Sequence, residues 1–254
     1  MGRLDGKVAF ITGSAKGIGE GCARVFAAEG AGVIIADIDE ANGQRVEAAI
    51  RESGGTALYH YTDVTESASI KESIGTTIER FGHLDILFNN AGTHIPKGAE
   101  ALSVEEWDFL LTLNLKSAFL TTKFALPALK ASRGTIINMS SLVGLVGQAN
   151  SVAYCASKGG LIAMTKALAL DHAADGIRVN CILPAGVKTP LLQQWIDQQP
   201  DPGHTQRDVD RWHALGWTAS PEEIGRAALF LASTDASFVT GVALPVDGGT
   251  SLGY

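Results

Sequence analysis

Val8-Ala9-Phe10-Ile11-Thr12-Gly13-Ser14-Ala15-Lys16-Gly17-Ile18-Gly19 is the stretch that decides the fold. An apolar run of strand type ends in a glycine cluster, and the spacing of Ala23, Val25 and Phe26 after it has the period of a helix. A strand passing through glycines directly into a helix opens a dinucleotide-binding unit. Gly13, Gly17 and Gly19 permit the tight turn and let backbone N–H groups reach a pyrophosphate, which then rests on the positive end of the helix. Lys16 and Ile18 stand among them and are expected to line the same cofactor.

Asp37, at the end of the next β-branched run, lies 18 residues past Gly19. A carboxylate there accepts hydrogen bonds from the ribose hydroxyls of NAD and repels the 2′-phosphate of NADP. The same residue also suits the N-cap of the helix that follows, and the two roles are compatible. Lys16 pulls the other way, but a flexible lysine returns less than a buried carboxylate facing a dianion costs. The cofactor expected is NAD.

Farther out, strands are expected near 7–12, 32–37, 56–62, 84–89, 134–140, 177–183 and 241–246, with helices between them. Val33-Ile34-Ile35-Ala36 and Ile86-Leu87-Phe88 are apolar without alternation, as strands covered on both faces must be. The fold class is therefore α/β: a doubly wound parallel sheet of about seven strands, with helices on both faces. No repeat or Pro/Ser-rich linker divides the 254 residues, so 1–254 reads as one domain. Residues 185–220, with Trp195, Trp212, Trp217 and the turn Pro200-Asp201-Pro202-Gly203, read as an irregular segment beyond the sixth strand, suited to a substrate lid.

Composition narrows the partners. A net charge of −7 repels nucleic acid and anionic membrane surfaces, and no apolar run approaches the length of a membrane span. Three cysteines without ligand spacing suggest neither a disulfide framework nor a metal site, which fits a cytoplasmic protein. None of the six histidines has a metal-ligand pattern, so no metal is expected.

The chemistry lies in the second half. Tyr154 and Lys158 stand four apart at the start of a helical run through Leu170, so they share one helix face. Such a pair is common by chance, but this one does not stand alone. Ser141 lies at the carboxyl end of the fifth strand and Asn89-Asn90-Ala91-Gly92 at that of the fourth, both at the crevice where ligands bind in such sheets. A phenol titrates near about 10, so a base working at neutral pH needs help of about 3–4 kcal/mol. One ammonium at about 4 Å supplies about that much, and Lys158 is expected to provide it.

With these residues in place the chain resembles the short-chain dehydrogenase/reductase family over its whole length. The resemblance rests on the glycine turn, Asp63-Val64, Asn-Asn-Ala-Gly, Asn114, Ser141, Tyr154, Lys158 and Thr189-Pro190. It implies that Asp63 and Val64 contact adenine, that Asn90, Ala91 and Gly92 support the central strand and cofactor, and that Pro184, Val187 and Thr189 reach the nicotinamide side. It further implies a catalytic set of Asn114, Ser141, Tyr154 and Lys158, with Asn114 holding a water linked to Lys158, and a homotetramer with the segment Gly248 to Tyr254 near an interface. Where the family has Pro-Gly after the sixth strand this chain has Pro184-Ala185-Gly186; either the methyl reshapes the pocket or the glycine's role passes to Gly186. The branch that reduces enoyl double bonds usually spaces its tyrosine and lysine more widely.

For the substrate, a small alcohol or ketone, His94, Gln148 and Asn150 offer polar groups near Ser141 and Tyr154, and Trp195 offers a ring for stacking. Gln148, the Tyr154 to Gly159 run, Pro184-Ala185, Thr189-Pro190-Leu191 and Trp195 also resemble NAD-dependent L-fucose dehydrogenases, which implies oxidation of an aldose at its anomeric carbon. Two alternatives are a reductase of hydrophobic ketones, which Asp37 opposes, and a non-catalytic NAD-binding sensor, which has no use for Ser141, Tyr154 and Lys158.

Overall fold

The computed structural model describes residues 2–252. Seven strands, β1 (Val8–Thr12), β2 (Gly32–Asp37), β3 (Thr56–Tyr61), β4 (Ile86–Asn89), β5 (Thr135–Met139), β6 (Arg178–Pro184) and β7 (Ala243–Val246), form one sheet in the order β3-β2-β1-β4-β5-β6-β7. Every neighbouring pair is parallel. The chain leaves β1 toward β2 and β3 on one side, and β4 returns on the other. The sheet's switch point, where such folds bind ligands outside the strand ends, therefore falls between β1 and β4.

Both faces are covered, which is why the central strands carry no alternation: β1, β4 and β5 are buried at every position. One face packs α1 (Gly17–Ala28) and α10 (Pro221–Ala232) onto Ile11, Val33 and Phe88. Glycines allow the two helices to meet closely, since a Cβ at Gly21 would lie 2.5 Å from that of Pro221. On the other face α3 (Ser67–Phe81), α5 (Ser117–Ser132) and α7 (Val152–His172) cover Phe10, Ile34 and Leu87.

Two elements differ from expectation. The segment 185–220 is not irregular but folds α8 (Pro190–Asp197) and α9 (Pro202–Arg211). Each begins with a capping side chain followed by proline: Thr189 accepts from the Leu192 N–H, and Asp201 accepts from the His204 N–H. The helical stretch expected between the fourth and fifth strands is α4 (Val104–Leu111) and α5 joined by a π turn over Thr112–Lys116. The segment expected at a subunit interface extends to Gly253-Tyr254, outside the described residues. Among the described residues no helix is long and apolar enough to cross a membrane.

Candidate active site

The glycine turn is shaped by its neighbours. Gly13 and Gly17 have φ of +64° and +60°, a backbone region that side chains disfavour. A Cβ at Gly19 would fall 2.2 Å from the Gly13 carbonyl oxygen and 2.7 Å from Asn90 Nδ2. Asn90 donates to the carbonyls of Thr12 and Gly13 at 2.9 and 2.8 Å, while Thr12 Oγ1 accepts the N–H groups of Asn90 and Ala91. The ends of β1 and β4 are thus locked across the switch point. Thr12 is part of the turn, and no local signal in the sequence marks its partner 78 residues away.

A dinucleotide fits this cradle. Lys16, the N-cap of α1, makes no side-chain cap, so the first N–H groups of the helix remain open to an anion. Asp37 is buried at the end of β2, accepting from the Ala15 N–H at 2.9 Å and the Asp39 N–H at 3.0 Å. The N-cap of α2 (Glu40–Glu52) is Asp39, not Asp37. Lys16 lies 3.3 Å from Asp39, and Arg45 is paired with Glu20 at 2.8 Å, so both cations nearest the ribose end already have carboxylate partners. At the end of β3, the Asp63 carboxylate accepts from Thr65 and Val64 is buried.

The catalytic candidates converge at the carboxyl ends of β4 and β5. Lys158, 4% exposed, donates to the Met139 carbonyl at 2.8 Å and lies 5.6 Å from the centroid of the Tyr154 ring. Asn114, 1% exposed, is aimed by the π turn: Oδ1 accepts the Thr93 N–H at 2.9 Å, and Nδ2 donates to the Thr93 carbonyl and to Ser157 Oγ. The missing Cβ of Gly92 is replaced by space that Asn114 Oδ1 and Lys158 Nζ both face, at 3.0 and 3.5 Å. Ser157, one turn past Tyr154 on the same helix face, accepts from Asn114 and donates to the Tyr154 carbonyl at 2.8 Å, a supporting role that the sequence alone does not mark.

The electrostatics differ from the sequence expectation. Burial raises the Tyr154 phenol above its ordinary value, and the Ser141 hydrogen bond only partly opposes this. Burial also draws Lys158 down to about 8. Desolvation is the largest cause of both shifts, because both groups sit where charge is poorly solvated.

The expected substrate residues divide. His94 packs on the Tyr154 ring with centroids 4.6 Å apart, and its Nε2 lies 2.9 Å from Ser151 Oγ. Burial lowers its pKa. Gln148 and Asn150 are exposed on the stretch before α7, with Asn150 at φ +53°. Trp195, on α8, packs against Trp212 just past α9, with ring centroids 6.2 Å apart.

Strand order, glycine turn and the Tyr154 and Lys158 pair together define an oxidoreductase of the nicotinamide-dependent α/β class. The chain belongs to the short-chain dehydrogenase/reductase family. The family model described as enoyl-(acyl carrier protein) reductase matches residues 13–251. An L-fucose dehydrogenase of Bos taurus is 47% identical over 253 residues, 99% of this chain and 92% of that protein. The 2,5-dichloro-2,5-cyclohexadiene-1,4-diol dehydrogenase LinX of Sphingobium indicum is 43% identical, covering 99% of this chain and 98% of its own length. A crystal structure of a protein described as a short-chain dehydrogenase/reductase, from Burkholderia xenovorans, superposes with TM-score 0.95 at 37% identity over the full length of both chains. The protein is an oxidoreductase acting on CH–OH groups.

Proposed function

We propose that this enzyme uses NAD to oxidise a secondary alcohol, and that the alcohol is the anomeric carbon of an aldose such as L-fucose, giving the lactone. The observation that carries the reaction is Lys158 Nζ at 5.6 Å from the centroid of the Tyr154 ring, with Ser141 just past the end of β5. The aldose reading is supported by similarity to L-fucose dehydrogenases and by the polar His94 beside Tyr154. NAD rather than NADP is supported by Asp37 and by the carboxylate partners of Lys16 and Arg45.

Tyr154, as phenolate, takes the hydroxyl proton of the alcohol while the hydrogen on the same carbon leaves with its electron pair. Ser141 donates to the oxygen as it becomes a carbonyl, and Lys158 stabilises the phenolate. Oxidised nicotinamide, when bound, would supply the acceptor for that electron pair and a positive charge that favours the phenolate. Asn114 holds the Thr93 backbone and, through Ser157, the first turn of α7. Gly13, Lys16, Gly17, Ile18, Gly19, Asp63, Val64, Asn90, Ala91, Gly92, Pro184, Val187 and Thr189 would hold the dinucleotide. Gln148, Asn150 and Trp195 would meet the sugar. The spacing of Tyr154 and Lys158 speaks against enoyl reduction.

Apolar side chains left exposed on α5 and α7, including Phe119 at 48% and Leu170 at 82%, support a homotetramer. Three free cysteines, two of them buried, suit a cytoplasmic setting.

The test is NADH formation at 340 nm across aldoses, cyclic diols and hydroxysteroids. L-fucose or a stereochemical relative should turn over, with NAD preferred over NADP by at least ~100-fold in kcat/KM. Turnover of hydrophobic alcohols with no aldose would refute the sugar reading, and equal use of both cofactors would refute the role of Asp37.

A further inference from the structure

The loop after β6 runs back over the glycine turn. Thr189 Cγ2 and Cβ lie 3.3 and 3.5 Å from where a Cβ of Gly17 would be, so residues 184–189 form a strap across the mouth of the dinucleotide cradle. The strap is tied at both ends. Leu142, next to Ser141, donates its N–H to the Pro184 carbonyl at 3.0 Å. Farther along, Val187 pairs with Ala219: the Lys188 N–H donates to the Ala219 carbonyl and the Ala219 N–H to that of Gly186.

His213, just past the end of α9, holds the middle of this strap. It is 3% exposed, and its two ring nitrogens have fixed roles. Gly186 N–H, which can only donate, lies 3.1 Å from Nε2; the Val209 carbonyl, which can only accept, lies 2.9 Å from Nδ1. The ring is therefore the neutral Nδ1–H tautomer, serving as acceptor toward the strap and donor toward α9. Packing enforces the same position, since a Cβ at Gly186 would meet His213 Cε1 at 2.9 Å and one at Gly248 would meet its Cβ at 3.1 Å. This accounts for the glycine of the Pro184-Ala185-Gly186 run: residue 186 cannot carry a methyl without displacing the imidazole. On the same helix, Asp210 Oδ1 accepts from both N–H and Oγ1 of Thr218, beside the strap's partner Ala219. Helix α9 thus grips both halves of the Val187 and Ala219 bridge.

We propose that His213 is a positioning residue that fastens the nicotinamide-side strap to helix α9, so that the α8–α9 insert and the cofactor cradle order together. The proposal rests on the NAD reading above. A strap that must be ordered at the moment of binding weakens the cofactor, because ordering entropy is then subtracted from the binding energy.

The test compares His213→Leu with His213→Gln, whose carbonyl can accept from Gly186 while its amide donates to Val209. NADH affinity is read by quenching of tryptophan fluorescence, alongside KM for NAD, kcat and melting temperature. His213→Leu should bind NADH about tenfold more weakly, raise KM for NAD in parallel and keep kcat at saturating NAD within about threefold. His213→Gln should return the affinity to within about threefold of wild type. A folded His213→Leu whose NADH affinity matches wild type, with only its melting temperature lowered, overturns the proposal, and so does a His213→Gln no better than the leucine variant. Should His213→Leu fail to fold, Gly186→Ala, which displaces the imidazole without removing it, replaces it with the same expected loss. A wild-type protein that binds neither NADH nor NADPH overturns the cofactor reading itself, an outcome distinct from equal binding by wild type and variant.

Discussion

Tyr154 and Lys158 lie on one helix face, and their residue types and four-residue spacing could be read directly from the chain. The direction of their titration could not, because desolvation depends on what the fold packs around them. Lys158, drawn down to about 8 by burial, holds its proton less tightly than an unfolded lysine. Between pH 8 and about 10.4 the unfolded chain therefore binds more protons, and stability tied to this group rises with pH. Below pH 8 both states are protonated and the full penalty of about 3 kcal/mol remains. Lys158→Met should accordingly be more stable than wild type to urea at pH 7, and that advantage should shrink as pH rises to 10. An advantage independent of pH would contradict the burial assignment. His213 was equally hidden: its partner at Gly186 is 27 residues away, and nothing local distinguishes it from the surface histidine His204.

The strands were legible because β1, β2 and β4 are short β-branched and aromatic runs buried on both faces, a pattern no amphipathic helix shares. The helices at 190–197 and 202–211 were not, being short and rich in polar residues, although Thr189-Pro190 and Asp201-Pro202 carry the cap-then-proline signature. The π turn at Thr112–Lys116 had no signature, since one extra residue leaves the surrounding apolar spacing almost unchanged. The strand, turn and helix unit at 8–28 was the most legible element, and it makes a sharp prediction. Gly19→Ala would drive a methyl to 2.2 Å from the Gly13 carbonyl oxygen, with Asn90 Nδ2 closing the other side. Dinucleotide affinity should fall by more than ~100-fold, measured by NADH fluorescence, because neither backbone nor clamp can retreat without opening the turn. An alanine variant with unchanged affinity would show that the pyrophosphate does not rest there.

At the scale of the molecule, strand order brings distant segments together: the β1 and β4 ends carry the glycine turn and its Asn90 clamp, and the β5 end with the start of α7 carries the proposed acid–base pair. Apolar side chains stand exposed on α4, α5 and α7, among them Phe109, Phe119 and Leu170. Phe119 and Leu115 line a surface depression with Met164; with the homo-oligomer proposed above, light scattering at micromolar concentration should give an assembly larger than the monomer, and a stable monomer would contradict it. The central claim is that this crevice moves a proton through Tyr154 while an electron pair passes to NAD. It is tested most directly by following absorbance at 340 nm with saturating NAD and the best aldose of the panel, wild type beside Tyr154→Phe, with NADH binding measured on both. The account predicts that Tyr154→Phe loses about 10³-fold or more in kcat while its NADH affinity is unchanged. A phenylalanine variant that binds NADH and keeps a tenth of wild-type turnover would contradict it.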